Sequence, residues 1–271
     1  MEDAAIAEVM AEIQQNPPEE EWTLVPVRKG KGGRPKPVPD PTDVKAILSQ
    51  PTMRPRSILA SSSKEAIAGQ HFYILRDYKE SRECRVLQAL INVFKAEIKG
   101  SEDPITKAIC LGIGSFDPDN GSWITKERTH MQFAAFSIIL DELQKLCKNK
   151  IKVIFQEPAF NESDAEFITS LGHEVVESPA AFDKVDSTTF VFGIHLYRDI
   201  YAQVFKNGEY PALFVGTGWN VWSNVSFRWT AEENHSLALL KAMETTHKRF
   251  PFPETPGKNI FYGTSIYWAS T

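Results

Sequence analysis

The chain has 271 residues, 42% of them apolar and 24% charged, which are ordinary proportions for a folded protein. A net charge of −5 gives no global attraction for a polyanion. The apolar stretch around 133–140 is far shorter than the roughly 20 residues that span a bilayer, so no membrane partner is expected.

The start, Met1-Glu2-Asp3, is acidic and lacks the basic segment of a secretory signal. Cys84, Cys110 and Cys147 are odd in number and show no C-x-x-C spacing, which suits buried free thiols in a reducing compartment. A cytoplasmic or nuclear protein is the expectation.

Residues 1–60 differ from the rest. Nine of the seventeen prolines fall in the first 55 positions, so this stretch reads as a linker-like extension ahead of a domain over 61–271. Ile6, Val9, Met10 and Ile13 lie at the spacing of a short amphipathic helix. Residues 1–21 hold seven acids and no base, whereas Arg28, Lys29, Lys31, Arg34 and Lys36 supply five bases and no acid to 28–36. Gly33-Arg34-Pro35 resembles the core of an AT-hook, in which an extended arginine segment enters a narrow minor groove, although Gly32 stands where such hooks carry arginine. Nucleic acid would engage through this arm alone. A nuclear-import segment and a solvated linker are the competing readings.

From Lys64 the pattern becomes that of a folded domain. Val86, Leu87, Leu90, Ile91, Phe94 and Ile98 share one helix face, and Gly100 can end that helix. A strand over 108–113, a helix over 126–148 and a strand over 151–156 follow. The next helix spans 161–171, with Asn161 as N-cap, Asp164 at N3 and Gly172 as its stop. Short strands are predicted at 174–177, 188–193 and 212–216, with a helix over 197–206 between the last two. Thr230 and Glu233 form a capping-box pair for a helix reaching His247, and 260–268 closes the chain as a strand or strand pair. Apolar strands alternating with helices predict an α/β, Rossmann-like three-layer fold with a mostly parallel sheet and helices on both faces.

The carboxyl ends of such strands are where ligands bind, and the candidate site residues lie there. Gly112, Gly114 and Ser115 follow the first strand. Glycines let backbone approach a ligand closely, but only two of the three glycines of the G-x-G-x-x-G fingerprint are present, and a tight strand exit explains them equally well. Glu157 follows the second strand, where an acid can accept hydrogen bonds from ribose hydroxyls. His195 follows the fourth, placed to bond a ligand or to cap the next helix. Gly216 and Asn220, with Trp219 and Trp222, follow the fifth, where the indoles would stack on a planar ligand or on the core. No histidine pair has metal-ligand spacing, and no G-x-S-x-G, H-E-x-x-H or Walker A motif occurs. No catalytic residue or metal ligand is assigned, and the cofactor is left open.

Several segments in this order resemble the Sensitivity to Red Light Reduced (SRR)-like domain family. They are Trp22-Thr-Leu-Val before the basic run, Leu111-Gly-Ile-Gly-Ser115, Arg128 with Gln132, Glu157-Pro-Ala-Phe160 before Leu171-Gly, His195, Leu213-Phe-Val-Gly216 and Thr264-Ser-Ile-Tyr-Trp268. Where family members often carry Pro-His-Cys, this chain has Ile194-His195-Leu196, and Thr217 stands where Asn is common. The resemblance, which is to fungal-type members, implies a Rossmann-like domain with a regulatory role and no settled reaction. Three functions stay open: a regulatory domain with a small-molecule or nucleotide-like ligand in its crevice and a protein partner, an adenosylmethionine-dependent methyltransferase-like enzyme, and a nuclear adaptor using the basic arm. The adaptor reading predicts that deleting residues 22–40 weakens DNA binding and flattens its salt dependence, measured by fluorescence anisotropy at two ionic strengths.

Overall fold

The computed structural model describes residues 62–98, 105–206, 208–223, 231–255 and 257–269. The expected extension over 1–60, the five basic candidates from Arg28 to Lys36, Gly100 and Thr230 lie outside the described residues.

Two helices precede the sheet: α1 (Lys64–Lys79) and α2 (Arg82–Ile98). The alternating part then runs β1 (Lys107–Leu111), α3 (Trp123–Gln144), β2 (Lys152–Gln156), α4 (Glu162–Ser170), β3 (Glu174–Val175) and β4 (Thr189–Gly193). It continues with α5 (Arg198–Val204), β5 (Leu213–Thr217), α6 (Trp219–Ser223), α7 (Ala231–Thr246), β6 (His247–Pro251) and β7 (Thr264–Ala269). The sheet order is β3-β2-β1-β4-β5-β7-β6. The first five positions pair in parallel, while β7 runs antiparallel to both β5 and β6. The fold is therefore α/β with a mostly parallel sheet, as the alternation of strands and helices predicts.

Strand alternation sends side chains to two cores. Cys110, Phe155, Phe190 and Phe192 are buried, and Phe136 of α3 packs 5.4 Å from Phe155, 5.6 Å from Phe190 and 5.6 Å from Phe192. On the other face Ile109, Ile154, Val191, Phe214 and Tyr267 join Tyr201, Val204 and Phe205 of the α5 segment and Leu240 and Met243 of α7. Burial on both faces explains why the interiors of these strands are apolar, with polar residues only at their ends. Helix α3 is covered in turn by α1 and α2. Its buried Glu142 is neutralised by Lys95 of α2 at 2.6 Å and by Lys145 at 2.6 Å, and accepts from Gln88 at 3.3 Å.

Helix bounds follow local chemistry. The α3 helix begins three residues before the predicted start because the Ser122 side chain accepts from Thr125 N. It ends early because Gln144 bonds the backbone at Asn149 and Ile151, closing the turn into β2. Cys147 therefore sits after the helix rather than on it, and all three cysteines are free. At α4 the predicted cap is realised in full: Asn161 and Asp164 bond each other's backbone N–H groups. His247 starts β6 rather than ending α7, and its pairing with β7 forms a hairpin whose first strand lies well before the predicted 260–268 segment.

One interior contact carries a measurable cost. His71 of α1 stacks 5.7 Å from His130 of α3 among Phe116, Phe133 and Phe167. Both ring nitrogens of His130 and Nδ1 of His71 are buried without a hydrogen-bond partner. Burial, reinforced by the proximity of the two rings, pushes His71 down to about 3, and burial beside Lys126 pushes His130 to about 4. In the unfolded chain both rings take up protons near pH 6.5, whereas the folded protein does so only near pH 3–4. Below pH 6.5 the unfolded chain therefore binds protons that the folded protein does not, so stability is highest above pH 6.5 and falls progressively as pH drops toward 3. Urea denaturation should show a lower midpoint at pH 5 than at pH 7. His130→Phe should raise stability at pH 7 by about 1–3 kcal/mol, because it removes unpaired buried polar atoms from an aromatic cage, and should reduce the pH dependence.

Candidate functional site

The chain passes from β1 to β2 and β3 on one side, then returns to place β4 on the other. This makes the junction of β1 and β4 the topological switch point, outside whose carboxyl ends open α/β sheets hold ligands. Gly112 and Gly114 leave β1 with φ values of 61° and 86°, a backbone region that favours glycine. Gly114 N–H donates to Glu157 Oε2 at 2.6 Å, and Ala159 N–H donates to Glu157 Oε1 at 2.7 Å. The glycine turn and the strand-end acid, expected to share one edge, are therefore bonded to each other.

The rest of the turn is fixed by protein groups. Thr129 Oγ1 donates to Ile113 O at 3.2 Å, and Phe116 N–H donates to Asp164 Oδ1 at 3.1 Å. Ser115 is buried, and its Oγ accepts from Asp117 N at 3.0 Å. Asp164, whose carboxyl burial holds above its ordinary value, thus caps α4 and anchors the loop with the same side chain.

Between β1 and β4 the space is filled by Leu196. A Cβ on Gly112 would overlap Leu196 Cδ2, and one on Gly193 would lie 2.7 Å from Leu196 Cδ1. The preceding His195 adopts φ 57°, uncommon for a residue other than glycine and a recurrent mark of functional loops. Its exposed ring bonds Tyr262 O through Nε2 at 2.8 Å. Tyr201 OH donates to Gly193 O at 2.7 Å and accepts from Thr217 N at 3.0 Å, joining the ends of β4 and β5. Burial keeps its phenol above the ordinary value.

The fifth-strand candidates lie further along the same edge. Gly216 is required by packing: a Cβ there would meet the Phe214 ring at 2.5 Å and Gly193 O at 2.9 Å. Asn220 is exposed, with Oδ1 accepting from Arg249 at 2.5 Å. Trp219 and Trp222 pack against the core cluster of α5 and α7. The loop before β7 reaches over to α3, where Lys258 pairs with Glu127 at 2.6 Å. Among the described residues no group of three or more His, Cys, Asp or Glu could hold a metal ion, and no helix is long and apolar enough to cross a membrane.

The edge thus carries a glycine turn, an anchored carboxylate and a strained histidine in the segment order noted above, and a family model for the SRR1 domain matches residues 80–268. The chain belongs to the SRR1 domain family. No curated protein matches it. Among solved structures, cofactor-bound Rv0187 from MTB is 12% identical, with 86% of this chain and 99% of that chain covered and a TM-score of 0.37. A candidate O-methyltransferase from Klebsiella pneumoniae is 9% identical over 76% of this chain and 90% of that chain, with a TM-score of 0.38. A candidate class I S-adenosylmethionine-dependent methyltransferase from Listeria monocytogenes is 8% identical over 77% of this chain and 69% of that chain, with a TM-score of 0.38.

Leu196, Gly193, Tyr201 and Tyr262 were not among the sequence candidates. A strand-end glycine ahead of a His-Leu pair was the only signal for the first two, and nothing local marks the tyrosines. Gly112→Ala should cost about 1–2 kcal/mol for the left-handed backbone, plus the overlap with Leu196. In a Leu196→Ala background the cost of Gly112→Ala should shrink by about 1–3 kcal/mol, read from urea denaturation of the four proteins. Additive costs would contradict the contact.

Proposed function

We propose that this SRR1 domain is a regulatory module of the cytoplasm or nucleus that binds a small ligand containing a ribonucleoside at the carboxyl ends of β1, β2 and β4. The observation that carries the reading is the 2.6 Å bond from Gly114 N–H to Glu157. It holds a carboxylate rigidly beside a glycine turn at the switch point. Each Glu157 oxygen accepts one backbone N–H in this arrangement. A carboxylate has about four lone-pair sites, so acceptor capacity remains on both oxygens for the two hydroxyls of a ribose diol. His195, exposed at the end of β4, supplies a polar group to the same mouth. The adenosylmethionine-dependent alternative uses the same ligand class, and its cofactor belongs in the same test.

Thermal melts with adenosine, S-adenosylmethionine, S-adenosylhomocysteine, NAD and 2′-deoxyadenosine test the reading. A probe at 100 times its dissociation constant adds about 2.7 kcal/mol, several degrees for a domain of this size. Ribonucleosides should shift the midpoint more than the deoxy analogue, and Glu157→Ala should remove the difference. No shift with any probe, in either the wild type or Leu196→Ala, removes the reading.

A further inference from the structure

The geometry points to Leu196 as an internal plug of the switch-point crevice, a side chain that a ribonucleoside ligand has to displace. This rests on the crevice being the ligand site. The two glycines at the switch point, Gly112 after β1 and Gly193 at the end of β4, are those whose missing Cβ would let a ligand approach the backbone. Both spaces are taken by one isobutyl group: Cδ2 lies over Gly112 and Cδ1 over Gly193.

The segment that carries the plug is held less firmly than the strand ends it covers. Leu196 is only partly buried, packed against the edge of the α5 and α7 cluster rather than within it. Its N–H reaches Tyr201 OH at 3.4 Å, a long bond beside the 2.7 Å and 3.0 Å contacts that Tyr201 makes to the strands. On one side stands His195, in a left-handed backbone conformation that the Tyr262 carbonyl helps hold. On the other, Tyr197 is 79% exposed and its side chain makes no cap bond to α5. Tyr201 keeps Gly193 and Thr217 in place without Leu196, so the strand ends stay organised when the plug leaves. A site whose competent form is a minority binds with an affinity reduced by that fraction. The plug therefore sets the apparent affinity, and loosening of 194–197 raises it.

Calorimetric titration of adenosine and S-adenosylhomocysteine into the full-length wild type, Leu196→Ala and Leu196→Ile tests this. Leu196→Ala should bind about 10-fold or more tightly than the wild type, as expected when a plug that leaves about a tenth of molecules competent is removed, while Leu196→Ile should stay near the wild type. Val204→Ala, which loosens the same core cluster away from the glycines, should give no gain. Leu196→Cys serves the same test if the alanine variant does not fold. Equal affinity in wild type and Leu196→Ala, or an equal gain in Val204→Ala, overturns the plug and leaves the ligand site standing. Absence of binding by a folded Leu196→Ala and by the wild type overturns both.

Discussion

At the junction of β1 and β4 neither strand end has a Cβ, and the chain that follows β4 uses that space for its own side chain. Gly112 and Gly193 admit the two methyl groups of Leu196, and the left-handed turn at His195 brings Leu196 back over the strands. The seating of the loop after β4 depends on this meeting. Tyr201 ties β4 to β5 beneath it, the Tyr262 carbonyl holds His195 above it, and the glycine turn is drawn toward Glu157 on its other side. A larger residue at either glycine would displace the wedge, while Tyr201 and Glu157 would still hold the strand ends and the glycine turn.

Two carboxylates at this edge act by holding backbone. Asp164 caps α4 and anchors the turn after β1, and Glu157 bridges that turn to the loop after β2. Such charge-assisted bonds to N–H groups are strong where water is partly excluded, so the glycine turn is held in shape before any ligand arrives. Glu142 instead joins side chains beneath α2, where two lysines offset its burial. The aromatic side chains divide the remaining labour: Phe133, Phe136 and Phe155 fill one core, Tyr201, Phe205 and Phe214 the other.

The elements that sequence reading located well are those with a strong local cause. The α4 helix was legible because Asn161, Asp164 and Gly172 each act within one turn of its ends. The strands β1, β2, β4 and β5 were legible because burial on two faces gives each an apolar run, with polar residues confined to the strand ends. The α1 helix was not singled out: its buried residues are Ile67, His71 and Tyr78, and a face with one aliphatic residue gives little periodic signal. The β6 strand, His247-Lys-Arg-Phe-Pro251, is mostly polar and is a strand because β7 pairs with it at the edge of the sheet. Of the site, Gly112, Gly114, Glu157 and His195 were recognisable from strand-end position, whereas the meeting of Leu196 with Gly112 and of Tyr201 with Thr217 depends on how the strands pair.

By itself the sequence determined the alternation of strand and helix, the two-sided burial of the sheet and the family to which the chain belongs, because periodicity, capping and motif order are local properties. Only the tertiary structure decided that Glu157 bonds Gly114, that Gly216 serves Phe214 and Gly193, and that the space over Gly112 and Gly193 is occupied by Leu196. Those outcomes depend on which strand lies beside which and on the hand of one residue's backbone at His195. Neither the pairing of β1 with β4 nor a positive φ at a histidine is encoded in the spacing of the residues involved.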